Sequence, residues 1–115
     1  MPTIDELMRE AAVPVVIASQ RGLITYVNER FEAMLGWRSD EIVGRPLTTI
    51  IPERLRDAHH LGFSRFLSSG APRLLNRPLR LMTVTKAGAE VEAEHFLTAE
   101  RRRDEWVFGA TIRPV

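Results

Sequence analysis

Residues 89–100 read AEVEAEHFLTAE and alternate between two kinds of side chain. Three glutamates take every second position from residue 90 to residue 94. The positions between and after them carry Val91, Ala93, His95 and Leu97. A strand that alternates in this way has one face in water and the other face on a core. Such strands belong to antiparallel sheets, because the strands of parallel sheets are covered on both faces.

Two further extended segments flank this strand, at residues 73–86 and 104–113. The short polar turns between them, Ala87–Gly88 and Arg101–Asp104, predict a meander of three antiparallel strands. Nearer the N-terminus, the run VVIAS is separated from LITYV by a polar turn at residues 20–22. Two strands that are joined by so short a turn pair antiparallel.

Thr3 and Glu6 form a capping box, which predicts a helix from residue 4 to about residue 11. The apolar residues of this helix share one face: Ile4, Leu7, Met8 and Ala11. We treat residues 1–12 as an N-terminal flanking helix and residues 13–115 as a single domain.

Further helices are predicted between the two groups of strands. Asn28 is a helix cap and Gly36 a helix end, and Ser39 is the expected cap of a short helical turn before Gly44. A longer helix is predicted from about residue 53 to residue 69, with one apolar stripe that consists of Leu55, His59, Gly62, Phe63, Phe66 and Leu67. The order of elements therefore predicts an α+β fold, a five-stranded antiparallel sheet flanked by several short helices and one longer helix.

Composition and charge narrow the class of function. A chain of 115 residues forms about one domain, and its net charge of +1 argues against a broad grip on nucleic acid and against direct membrane contact. The chain has no cysteine, which excludes disulfides, thiolate metal sites and cysteine nucleophiles. The N-terminal segment lacks the features of a signal peptide, so we expect a cytoplasmic location.

The usual motifs of catalysis are missing from the sequence. It contains no Gly-x-Ser-x-Gly turn, no phosphate-binding glycine loop and no His-Glu-x-x-His motif. Asp57 and His60 are three residues apart on the long helix, a spacing typical of surface hydrogen bonds. We therefore expect that the chain is not an enzyme. An enzyme of unknown type is the minor alternative, which a polar cleft with clustered titratable groups would favour.

Several residues stand at landmark positions along this order of elements: Gly22, Ile24, Asn28, Gly36, Trp37, Glu41, Gly44 and Pro52. In the second half, a Lys-Ala-Gly turn joins two long strands. Together these residues and elements resemble the PAS family of sensory domains over nearly the whole chain. In this resemblance Trp37 replaces the usual tyrosine and Ala87 the usual aspartate.

The resemblance implies the PAS fold and a sensory or interaction module of a bacterial signal-transduction protein. Such a module regulates an effector domain or a partner protein through a small ligand or through dimer geometry. A ligand pocket is expected between the long helix and the inner face of the sheet, lined by His59, Phe63, Phe66, Leu81, Val91, Leu97 and Phe108. The apolar face of the N-terminal helix needs a partner, so we expect a homodimer through that helix and the sheet, with the sheet of its own subunit as the alternative cover.

His59 and Arg65 are six residues apart on the long helix. Similar spacing occurs in haem-type oxygen-sensor PAS domains, where the histidine binds the iron and the arginine meets a propionate. The resemblance therefore implies an alternative, a haem-binding gas or redox sensor with His59 as axial ligand and Arg65 at the pocket mouth. Leu79 stands where those sensors carry an arginine. The preferred interpretation is a structural His59 and no bound cofactor. Flavin photochemistry through a cysteine is excluded, and flavin binding without a cysteine stays an alternative that no residue of the sequence supports.

Overall fold

A computed structural model describes residues 3–69 and 78–115, without the side chains of residues 65, 66, 68 and 69. It contains the predicted sheet, and all neighbouring strands are antiparallel in the order β2-β1-β5-β4-β3. The strands are β1 (Val15–Ser19), β2 (Ile24–Val27), β3 (Pro78–Val84), β4 (Glu90–Arg102) and β5 (Glu105–Pro114). The predicted fold class is confirmed.

The described helices are short, apart from the last one. They are α1 (Ile4–Arg9), α2 (Glu29–Leu35), α3 (Ser39–Ile42) and α4 (Arg56–Ser69), with 3-10 turns at Leu47–Ile50 and Glu53–Leu55 between α3 and α4. None of the helices within residues 3–69 and 78–115 is long and apolar enough to cross a membrane.

The sheet has two faces, and the register assigns each side chain to one of them. Val16 and Leu97 are both partners of Ala110, so they share the inner face, on which α2 and α3 pack. Ile17 and Thr98 flank Gly109 on the opposite, outer face. The main core lies on the inner side and consists of Val16, Ile24, Val27, Phe31, Leu35, Ile42, Ile50, Ala93, Ala110 and Ile112.

The outer face is covered in part by α1 of the same chain. Ile4 and Leu7 are buried against Val15 and Ile17 of β1. The helix approaches β5 closely at Gly109, where an added Cβ would lie 2.5 Å from the Leu7 Cδ1 atom. Of the two covers that the sequence left open for the apolar face of α1, the sheet of its own subunit is present.

Asn28 joins three segments through a buried side-chain amide. Its Oδ1 atom accepts from the backbone N–H groups of Val15 (2.9 Å) and Phe31 (3.0 Å), the second of which caps α2 as predicted. Its Nδ2 group donates to the carbonyls of Glu10 (3.1 Å) and Val13 (2.8 Å). Because all four bonds go to backbone, the side chain fixes the path of the chain from α1 into β1.

Some predicted boundaries are wrong by one or two residues. The first helix ends at Arg9, because the Glu10 carboxylate accepts from the Ala12 N–H and the chain turns there. The cap of α3 is Arg38, whose N–H donates to the Glu41 side chain at 2.9 Å, and not Ser39.

The last turn and the strand β3 also differ from their predicted limits. β4 extends to Arg102, so its turn into β5 is the pair Arg103–Asp104, and both residues have positive φ, 50° and 67°. Two successive residues with positive φ form the tight hairpin turn that suits the twist of antiparallel strands. β3 begins at Pro78, and the first five residues of the predicted segment 73–86 lie outside the described part of the chain.

The close approach of α1 to Gly109 predicts opposite effects for two Gly-to-Ala substitutions. Gly109→Ala places a methyl group against Leu7 and should lower the free energy of unfolding by about 1–3 kcal/mol. Gly62→Ala, on α4 with no atom within 4 Å of the new Cβ, should raise it by about 0.5–1 kcal/mol. Urea denaturation of the three proteins measures both changes. An unchanged stability in Gly109→Ala would contradict the docking of α1 on this face.

Candidate functional site

Two arginines hold the start of α4. The Arg56 Nε–H group donates to the carbonyls of Thr48 (3.2 Å) and Ile51 (3.0 Å). Arg54 forms a two-bond ion pair with Glu90, in which the Nη2 group lies 2.6 Å from Oε1. These contacts attach the beginning of α4 to the 3-10 turn at Leu47–Ile50, to the residue that follows this turn, and to the first residue of β4.

The rest of α4 is packed loosely. None of its side chains that the structure describes is buried, and Leu61 is 54% exposed. The predicted single apolar stripe is therefore wrong for Leu55, Gly62 and Leu67, which are all exposed. Leu55 belongs to a 3-10 turn, whose residues advance by about 120° instead of 100°, so it is out of phase with α4.

Phe63 joins α4 to the inner face of the sheet. Its ring centroid lies 5.0 Å from that of Phe108 on β5, and a Cβ on Gly22 would lie 4.0 Å from the ring tip. Phe108 stacks on Trp106 with centroids 6.4 Å apart, and the His59 ring is 6.0 Å from Phe63. A row of aromatic rings thus connects the helix to one end of the inner face.

The predicted lining residues of the sheet share the inner face but not one end of it. Phe108 is the register partner of Ala99, and Leu81 is the register partner of Ala93. These two positions of β4 are about 20 Å apart at the usual rise of an antiparallel strand. Val91 lies still further from Phe108 along β4. The structure therefore brings Phe63 and Phe108 together and leaves Leu81 and Val91 at the other end.

Between the two ends, the inner face carries the buried His95 and the half-buried Leu97 and Leu79. At the far end Leu81 is 43% exposed, so the apolar surface is only partly covered. Two other predicted residues, Arg65 and Phe66, have side chains outside the described part of the chain. The described residues thus leave an apolar surface opposite a loosely packed helix.

Two of the three histidines are influenced by burial. His59 is half-buried, and its pKa is lowered by burial first and by the neighbouring His60 second. His95 lies buried on the inner face between Leu79 and Ile112, and burial lowers its pKa although the Ala93 carbonyl, 3.1 Å from Nδ1, opposes the shift. His95 is a packed side chain of the sheet, as its alternation predicted.

The donor set does not form a metal centre on its own. Within residues 3–69 and 78–115, no three His, Asp or Glu side chains are grouped to hold a metal ion. A haem between α4 and this end of the sheet would need the space that the contact of Phe63 with Phe108 fills. As they lie, the described residues near His59 therefore do not fit a haem.

Sequence reasoning missed two aromatic sites. Trp106 belongs to the aromatic row, and the alternation that places Phe108 on the inner face also places Trp106 there. Trp37 lies between two cations, with the Arg45 guanidinium 4.9 Å and the Lys86 ammonium 5.3 Å from its ring centroid. No local sequence pattern indicates the cluster around Trp37, because its two cations come from separate turns.

The family model described as "PAS fold" matches residues 3–111 of the chain. A curated relative, an uncharacterized protein of Azorhizobium caulinodans, is 30% identical over 102 residues, which is 88% of this chain. The chain spans only 14% of that protein's length.

Solved structures with a similar fold are also PAS domains. One, from a protein of Desulfitobacterium hafniense, has a TM-score of 0.76 and 16% identity, and the match covers 94% of this chain and 97% of that one. Another, from a two-component sensor histidine kinase, has a TM-score of 0.73 and 15% identity over 95% of this chain and 90% of that one. At these identities the likeness concerns the fold.

The buried His95 predicts a loss of stability in mild acid. Its pKa in the folded state is below the ordinary value of about 6.5, so the unfolded chain binds the proton more readily. The stabilising effect of the neutral side chain is therefore complete well above the ordinary pKa of about 6.5 and declines as the pH falls below it. Urea denaturation at pH 7.5 and pH 5.5 measures the decline.

His95→Gln should reduce this pH dependence, because glutamine carries no titrating proton. His60→Gln, which removes an exposed imidazole, is the matched control; it removes only the smaller cause of the lowered pKa of His59 and should reduce the pH dependence less than His95→Gln does. Equal pH dependence in the wild type and in His95→Gln would contradict the assignment to His95.

Proposed function

The chain belongs to the PAS fold family, and on that premise we propose that it is a sensory and interaction module of a bacterial signal-transduction protein. It regulates an effector through a small apolar ligand that binds between α4 and the inner face of the sheet, and through the geometry of a homodimer. The observation that carries the proposal is the loose packing of α4 over a partly covered apolar surface. A PAS domain of similar fold from a sensor histidine kinase supports the same class of function.

The ligand would act by shifting an equilibrium between two positions of α4. In one position Phe63 contacts Phe108, as in the described structure. In the other position the ligand takes the place of Phe63 against Phe108 and the neighbouring Leu97. A ligand shifts this equilibrium only by its difference in affinity for the two positions, and a tenfold difference is worth about 1.4 kcal/mol.

β5 offers a short route from the ligand to the outer face. Phe108 points to α4 on the inner side, and the next residue, Gly109, lies under Leu7 of α1 on the outer side. A small displacement of β5 at Phe108 therefore changes the clearance under α1. The packing at Gly109 leaves little slack for such a change, because Leu7 is already in contact there.

The docking of α1 on the sheet is only moderately favourable, so α1 can move in response to a change in the sheet. Thr98, the neighbour of Gly109 on β4, is buried on the outer face, and its hydroxyl has no hydrogen-bond partner among the described residues. Such a group costs about 1–3 kcal/mol. This cost offsets part of what the burial of Ile4 and Leu7 contributes, so α1 is displaced by a modest change beneath it.

The homodimer would form through α1 and the outer face of the sheet. Ile4 and Leu7 are occupied by their own sheet, so the contact would use the exposed side of α1, where Met8 is 46% exposed. A displacement of α1 then changes the dimer geometry, which is the output that an effector reads. The exposure of both Asp57 and His60 supports a role without catalysis.

A ligand site on the inner face predicts that a larger side chain at Leu97 blocks it. The probe is 8-anilinonaphthalene-1-sulfonate, an aromatic fluorophore whose emission rises in apolar sites. We expect saturable binding that Leu97→Trp weakens by about tenfold, because the indole fills the space that the ligand needs. Circular dichroism verifies that the variant folds.

Leu61→Ala is the matched control for this experiment. It removes the most exposed leucine of α4 and should leave the affinity unchanged. A loss of affinity in Leu61→Ala together with no loss in Leu97→Trp would place the probe on the outer surface of α4 and contradict the proposal.

Incubation with hemin separates the proposal from a haem sensor. We expect no Soret band that depends on His59, since the described residues do not fit a haem. A sharp Soret band that is abolished in His59→Ala would identify a haem sensor and overturn the apolar-ligand proposal.

A further inference from the structure

The two edges of the sheet are treated differently by the chain. At the edge of β2, the Ile24 N–H donates to the Arg45 carbonyl (2.8 Å), and the Gly44 N–H donates back to the Ile24 carbonyl (2.7 Å). The Leu47 N–H also donates to the Gly22 carbonyl at 2.8 Å. These bonds close the β2 edge. At the β3 edge, no backbone within residues 3–69 and 78–115 pairs with the side that faces away from β4.

The register identifies which backbone N–H and C=O groups of β3 make no hydrogen bond to β4. The Thr85 N–H donates to the Ala89 carbonyl (2.8 Å), so this pair is hydrogen-bonded across β3 and β4. Bonded and non-bonded pairs alternate along an antiparallel ladder. The N–H and C=O groups of Arg80, Met82 and Val84 therefore point away from β4.

β3 has few of the features that usually protect an exposed edge. Its register with β4 runs without a bulge from Pro78 to Val84, and its one proline is the first residue. The strand contains no lysine, and Leu81 is 43% exposed at this edge. Natural edge strands are generally blocked by a bulge, a proline or several charged side chains. β3 has one charged side chain, Arg80, and its outward main-chain groups at Met82 and Val84 lie beside apolar side chains, so this edge indicates a pairing site.

The side chains of β3 define what kind of strand fits next to it. On the inner face an added strand would lie beside Leu79 and Leu81. On the outer face it would lie beside Arg80, whose side chain is 66% exposed and pairs with Glu92 at 3.8 Å, and beside Met82 and Val84. β4 already meets the same residues from the other side with Ala93 opposite Leu81 and Glu94 opposite Arg80. A segment that alternates apolar and acidic residues is therefore complementary to β3 on both faces.

We propose that the β3 edge binds an extended segment of a partner protein as a sixth strand, and that this segment alternates apolar and acidic residues. The main-chain groups of Arg80, Met82 and Val84 supply the hydrogen bonds, and the side chains of β3 determine which partner sequences bind best. This interaction surface is separate from the ligand site and from α1. A failure of the pairing leaves the ligand proposal standing, and the reverse also holds.

The test uses a blocked synthetic peptide with the sequence AEVEAEHFL, which copies residues 89–97, and the ¹⁵N-labelled chain. We expect saturable shifts and slowed hydrogen exchange at the amides of Arg80, Met82 and Val84. The amides of Leu79 and Leu81 already bond to β4 and should keep their protection. A peptide with its three glutamates replaced by lysine should bind about tenfold more weakly, because one lysine would lie beside Arg80 and the other two would add positive charge near it.

Two variants make the result specific to this edge. Arg80→Glu should reverse the preference, so that the lysine peptide binds better than the glutamate peptide. Met82→Pro removes an outward N–H group, a change that an edge tolerates, and should weaken the binding of the glutamate peptide about tenfold.

Three outcomes would overturn the proposal. The first is an absence of shifts at the three outward amides, and the second is equal affinity for both peptides. The third is slowed exchange of the same amides on raising the protein concentration without peptide, which would assign the edge to a second copy of this chain.

Discussion

The side-chain amide of Asn28 is the interaction on which the arrangement of the N-terminal half depends. It accepts from the N–H groups of Val15 and Phe31 and donates to the carbonyls of Glu10 and Val13. A buried amide that bonds to four backbone groups holds the chain in one course, because a different course would leave polar groups of the amide without hydrogen-bond partners. Through these bonds α1 arrives over the outer face while α2 begins on the inner face.

β5 then connects the two faces. It lies in the middle of the sheet, between β1 and β4, and its alternating side chains serve both layers. Phe108 meets Phe63 of α4, and Gly109 accommodates Leu7 of α1. Since these two residues are adjacent, a change in the packing of Phe108 on the inner face is transmitted to the outer face through the next residue of β5. The proposed sensing mechanism uses this short distance in place of a long chain of contacts.

Much of this architecture is predictable from local sequence patterns. The predictions that were wrong failed for physical reasons. Alternation placed β4 correctly, and Asn28 and Gly36 marked the limits of α2, because one strand face and one helix cap are properties of a few neighbouring residues. The exposed side of α4 was not predictable, since a helical stripe is buried only where a surface lies opposite it. The clearance at Gly109 depends on the approach of a distant helix, so no sequence pattern near residue 109 indicates it.

The candidate site was also predicted only in part. The strand residues Leu81, Val91, Leu97 and Phe108 do share the inner face, as alternation requires. Their separation along the sheet was not visible, because it depends on the register of β3, β4 and β5. The open edge of β3 was also hidden, since the sequence does not state the order of strands.

Coupling between the two faces is the central claim, and amide hydrogen exchange in a Phe63→Ala variant tests it most directly. The reporters are the N–H groups of Leu7 and Glu10, which donate to the Thr3 and Leu7 carbonyls within and at the end of α1. The account predicts that removing the Phe63 ring changes their protection by about tenfold, whereas Leu61→Ala leaves it unchanged. Identical protection of both amides in the wild type and in Phe63→Ala would contradict the claim that α4 and α1 are coupled through β5.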